Sequence, residues 1–183
     1  MAQIKKTSLI ALLGIFTALA FILGFIESLI PPFTGIPGVK AGFANIVSMI
    51  VLYLTGPRAD DNAFHPSVYS FLCALGISAV RILLGGITYN GMSAALYGLA
   101  GAFLSLTVMF LLGRIRIFSI TAVSIAGGVA HNIAQLILAV IMLGNAVVYY
   151  LPMLIISGLA AGLAIGVISA VLIRRLSVLS IVR

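Results

Sequence analysis

Three acidic side chains, Glu27, Asp60 and Asp61, are all that 183 residues contain, against ten lysines and arginines. A soluble domain of this length would carry about 45 charged residues, roughly a quarter of the chain, to keep its surface hydrated. With so few charges and 63% of its residues hydrophobic, the chain cannot be a soluble enzyme, a disordered tail or a secreted disulfide scaffold. The single cysteine, Cys73, has no intrachain partner, which removes disulfides and paired-cysteine metal sites. No GxxxxGK[ST] phosphate loop is present, so ATP is not hydrolysed by that route. Three carboxylates are also too few for a prenyl diphosphate synthase, which holds Mg²⁺ ions against a diphosphate with several oxygen ligands. Neither His65 nor His131 lies in a recognisable Ser or Cys constellation. The chain is therefore expected to be a binder or conduit, with no catalytic residue, cofactor or metal of its own.

What the chain has in abundance is long apolar runs. Six spans of about 20 residues would take up about 120 residues, close to its apolar total. Punctuation by Pro, Gly, Asn and charge predicts an all-α bundle of six transmembrane helices in a single membrane domain. The expected helices cover about 7–30, 41–55, 66–84, 92–113, 117–143 and 147–173. The first is read as a retained span: Ala18-Leu19-Ala20 after Lys5-Lys6 imitates a cleavage site, but the apolar run continues ten residues past it. The fifth, about 40 Å long against a hydrocarbon core of about 30 Å, is expected to tilt or protrude.

The net charge of +7 does not indicate nucleic acid, because the cations are scattered singly or in pairs and form no basic face. Sorted by loop, eight of the ten fall on one side, leaving Lys40 and Arg81 near the other. That bias puts both termini in the cytoplasm. The same orientation sorts the polar residues by depth. Glu27 and Arg81 are expected about one turn from the outer ends of helices 1 and 3. Lys40 and Asn45 open helix 2 on that side, and Asn90 lies in an outer turn beside Tyr89. His131, Asn132 and Gln135 sit from the middle of helix 5 outward, within an arc of about 100°. Polar groups in hydrocarbon cost a few kcal/mol each unless they pair or line a wet cavity. An outward-facing polar pocket accounts for them together. Plainer readings stand beside it: Glu27 and Arg81 as a salt bridge between helices 1 and 3, Lys40 snorkelling to lipid headgroups, and Tyr149 and Tyr150 as an interfacial belt.

Two ladders of small residues mark close helix approach. Thr7, Ala11, Gly14 and Ala18 run along helix 1, and Gly158, Gly162, Gly166 and Ala170 along helix 6. Either serves internal packing or an outside partner.

Four strings occur in order: 37–47 (PGVKAGFANIV), 81–86 (RILLGG), 130–135 (AHNIAQ) and 149–152 (YYLP). Over about residues 5 to 175 the chain resembles the bacterial membrane family labelled heptaprenyl diphosphate synthase component I, also called the Gx transporter family. That family is similar in size and layout to the substrate-binding S components of energy-coupling factor (ECF) transporters. The resemblance implies capture of a small molecule on the outer side, and pairing with a membrane coupling protein and two cytoplasmic ATPases. It also implies that Ala11, Gly14 and Ala18 dock the coupling protein. The polar stretch with Asp60, Asp61, Asn62 and His65 is an addition to the family pattern on the inner side.

The expected pocket comprises Glu27, Lys40, Asn45, Arg81, Asn90, His131, Asn132 and Gln135. Lys40 and Arg81 would attract an anionic group, the amides would read hydrogen-bonding edges, and His131 would close the floor. A rival expectation is a non-catalytic membrane subunit that docks a prenyl diphosphate synthase or redox enzyme. A third, a stand-alone carrier, lacks central carboxylates to couple protons.

Overall fold

A chain whose solvent is lipid must satisfy each backbone N–H and C=O internally, and the helix does this within one segment. In the computed structural model, residues 6–29, 42–56, 65–115 and 117–178 are described. All their regular structure is helical: α1 (Lys6–Ser28), α2 (Phe43–Leu54), α3 (Val68–Gly85), α4 (Met92–Gly113), α5 (Ile120–Leu143) and α6 (Leu151–Val178). A π-helical turn (Gly86–Asn90) prolongs α3, and a 3₁₀ turn (Asn145–Tyr150) leads into α6.

The boundaries follow local chemistry. At the start of α3, Ser67 Oγ accepts from Ser70 N–H while Ser70 Oγ accepts from Ser67 N–H, a reciprocal cap. Ser119 Oγ accepts from Ala122 N–H, so α5 begins three residues later than expected and, at 24 residues, needs less tilt. Gly91, with φ of 81°, makes the break into α4 that few other residues could. Gly85-Gly86 was expected to end helix 3. Instead the chain stays helical to Asn90, widening by one residue per turn.

Among the described residues, five helices are long and apolar enough to cross a membrane. The exception is α2, whose 12 residues rise about 18 Å against a core of about 30 Å. It starts late, at left-handed Gly42 (φ 79°), and ten of its residues are buried. An evenly apolar helix of this kind is stable when protein surrounds it. Met49, Val51, Leu52 and Tyr53 form the middle of the main core, with Leu106 of α4, Val123 of α5 and Ile165 of α6 packed around them. Ser48 and Ser78 hydrogen-bond at 2.7 Å and tie α2 to α3 within that core.

Close approaches show the helices alternating in direction. Gly113 at the end of α4 meets Tyr53 near the end of α2 and Pro66 ahead of α3. The tightest seam is α5 against α6. A Cβ on Gly162 would lie 2.7 Å from Ile125 Cα, and one on Gly166 would lie 2.9 Å from Thr121 Cα. The helix 6 ladder is thus an internal packing surface. The helix 1 stripe is not: Ala11, Gly14 and Ala18 are exposed, and a Cβ on Gly14 would meet nothing within 4 Å among the described residues.

Gly162→Leu is expected to destabilise the protein by about 1–3 kcal/mol through overpacking, whereas Gly14→Leu leaves the detergent melting temperature unchanged. Parallel melts of the two variants check this contrast.

Candidate functional site

Arg81 is the fourteenth residue of the 23-residue apolar stretch Val68–Asn90, because the π-helical turn prolongs the helix beyond it. It therefore lies near mid-depth, not one turn from the end as expected. His131, twelfth of the 24 residues of α5, lies at a matching level. His131 is close enough to Arg81 to feel its charge.

Around Arg81 four elements converge. Its Nη2 donates to Asn45 Oδ1 of α2 at 3.2 Å. Glu27, buried in the last turn of α1, couples electrostatically to Arg81. The Glu27 carboxylate accepts from the backbone N–H of Gly42, at the mouth of α2. That N–H faces a carboxylate because the first amides of a helix lack intrahelical acceptors, and the helix dipole favours negative charge there. Tyr89, on the π-helical turn, brings its hydroxyl to 3.4 Å from the Phe21 carbonyl oxygen of α1. Half-buried Asn90 lies beside it over Gly85. The expected alternative of Glu27 and Arg81 as partners and their grouping as pocket residues thus describe one polar cluster.

His131 stacks flat on α4 at Gly101, where a Cβ would fall 2.6 to 2.8 Å from three of its ring atoms. Gln135 Nε2 donates to His131 Nε2 at 3.1 Å, which leaves the imidazole proton on Nδ1. The Gly101 backbone approaches the ring, yet Nδ1 is sealed from solvent without a hydrogen bond of normal geometry among the described residues. Arg81 Nε is in the same condition. Buried donors are nearly always satisfied, so two at a similar depth, one on α3 and one on α5, stand out among the described residues.

Asn132 is placed elsewhere. Its Nδ2 donates to the Leu154 carbonyl at 2.7 Å and to Ser157 Oγ at 3.1 Å, both on α6. One residue along a helix turns the side chain by 100°, so His131 and Gln135 look one way and Asn132 looks into the α5–α6 seam. Lys40 lies outside the described residues, as do Asp60, Asp61 and Asn62. Tyr89 belongs to the cluster and was not among the expected pocket residues. Its signal was Gly85-Gly86 read as a terminator, which hid the extra helical turn.

The bundle also carries an apolar groove of about 400 Å³ between α1 and α3, lined by Leu13, Gly14, Thr17, Cys73, Gly76 and Val80 among others. A second, of about 280 Å³, runs between α4 and α5. Neither includes a residue of the polar cluster.

These features define a class: a multi-pass helical membrane protein with a partly buried polar cluster near mid-depth and an exposed small-residue face. Within that class the chain belongs to the heptaprenyl diphosphate synthase component I family, whose profile matches residues 16–61 and 62–172. Neither a curated protein nor a solved structure matches the chain.

Asn132→Ala is expected to cost about 1 kcal/mol of stability, the usual worth of an interhelical hydrogen bond in a membrane protein. The loss should appear in melting, with the His131 imidazole signals in NMR spectra unmoved.

Proposed function

We propose that the protein is the substrate-binding S component of an ECF-type importer in a bacterial cytoplasmic membrane. Its six helices would form one domain with both termini inside, capturing a small molecule from the outer side. The observation that supports this reading is the pair of buried donors, Arg81 Nε and His131 Nδ1, neither with a hydrogen bond of normal geometry among the described residues, in a cluster that also holds Glu27, Asn45, Asn90 and Gln135. A molecule with an anionic or strongly accepting group would satisfy both donors. Asn45 and Gln135 would read its edges, Lys40 would attract it from the outer end, and Asn132 would stiffen the α5 wall. Three carboxylates and no phosphate loop leave energy to partner subunits, a coupling protein and two ATPases. The bare stripe Ala11, Gly14 and Ala18, beside the α1–α3 groove, is the docking face in this reading.

The family's name favours a second reading, a non-catalytic membrane subunit of a heptaprenyl diphosphate synthase whose other component carries the catalysis. Affinity purification from detergent separates the two. A membrane coupling protein with ATPases supports the first, and a soluble synthase component supports the second.

Arg81→Ala and His131→Ala should each lower the amount of a small molecule that co-purifies with the wild-type protein about tenfold, the worth of a lost hydrogen bond to a charged group. Mass spectrometry of denatured preparations measures this, and undiminished ligand in both variants would overturn the site. The only thiol, Cys73, lines the α1–α3 groove, so a partner docked there should slow its reaction with maleimide. A rate unchanged by the co-purified partner would place docking elsewhere.

A further inference from the structure

The Tyr89 side chain lies beside Arg81 at Gly24 of α1. The hydroxyl of Tyr89 occupies a notch that exists because two positions lack side chains. A Cβ on Gly24 would lie 2.8 Å from that hydroxyl oxygen, and one on Gly85 would lie 3.0 Å from it. The Gly24 position is also 3.7 Å from Arg81 Nη1, so the tyrosine hydroxyl and the guanidinium share the notch. The ring is tilted against Phe21 and edge-on to Phe25 of α1, each 5.5 Å away between centroids.

Tyr89 is carried on the π-helical turn between α3 and α4. The π-helical turn is five residues long, bounded by Gly85 and by Gly91 in its positive-φ conformation. Ile87 and Thr88 on the same turn are exposed. A π-helical turn is rare and often marks a functional site. The hydroxyl's one hydrogen bond to the protein frame, 3.4 Å to Phe21, is long. A well-fitted ring, weakly tethered and placed over an incompletely satisfied cation, has the form of a gate.

We propose that Tyr89 is the gate of the Arg81 site: its ring closes the notch between α1 and α3, and its displacement with the π-helical turn admits the ligand to Arg81. This rests on the reading of Arg81 as a ligand-binding group, and a probe that needs no substrate tests it separately. Phenylglyoxal, which modifies guanidinium groups, would be applied to the full-length protein in phosphatidylcholine–phosphatidylglycerol vesicles, with adducts at Arg81 and Arg114 resolved by peptide mass spectrometry.

Tyr89→Ala removes two aromatic contacts and is expected to raise the Arg81 rate about tenfold, with the Arg114 rate unchanged. Tyr89→Phe keeps the ring and should leave the Arg81 rate near wild type. Should Tyr89→Ala raise both rates, indicating general unfolding, Gly24→Ala decides. It retains the tyrosine but fills its notch, and should raise the Arg81 rate alone. An Arg81 rate unchanged by Tyr89→Ala, or by Gly24→Ala where that variant decides, overturns the gate while leaving the ligand-binding reading to its own test.

Discussion

A guanidinium held near the middle of an apolar bundle is the costliest group in this molecule, and the placement of its neighbours answers to that cost. Uncompensated, a charge at this depth is worth several kcal/mol against insertion. Compensation comes from several elements at once. Glu27 supplies the opposite charge from the end of α1, and Asn45 supplies an acceptor from the first turn of α2. The short length of α2 is what makes the second contribution available. Because this helix starts at Gly42, its first amide and its first polar side chain arrive at the depth of Glu27 and Arg81. The helix least able to cross the membrane alone is the one that completes the cluster and fills the core beneath it.

Small residues play opposite parts on two faces of the bundle. Along α6 they remove the Cβ atoms that would hold α5 away, so the two backbones touch and Asn132 can reach the Leu154 carbonyl. Along α1 the stripe Ala11, Gly14 and Ala18 is exposed, and a Cβ on Gly14 would meet nothing within 4 Å among the described residues. In lipid, where apolar side chains gain nothing by leaving their solvent, backbone proximity of this kind is a main source of association. An internal seam and a bare face are thus two uses of one physical device.

Much of the fold was legible along the chain, and the misplacements have identifiable causes. The start of α4 at Met92 and its end at Gly113 follow from flanking glycines and arginines, which are local signals. The length of α2 was not legible, since an apolar run does not say whether lipid or protein surrounds it. Gly85-Gly86 read as a stop, yet the glycines sit where Tyr89 and Ala95 press close, and the helix continues past them. That one extra turn moved Arg81 from the rim to mid-depth, and so brought it level with His131. The grouping of His131 with Gln135 was readable from a four-residue spacing, whereas the departure of Asn132 depended on where α6 lies.

Charge count, apolar content and the spacing of breakers are properties of the chain in one dimension, and they determined the solvent, the helical class and the polar residues that had to be accommodated. Which of those residues meet depends on the rotation and depth of each helix. These are set by side-chain packing between segments far apart in sequence. Tertiary structure alone therefore decided that Arg81, Glu27, Asn45 and Tyr89 share one site with His131 nearby, and that Asn132 serves the seam between two helices.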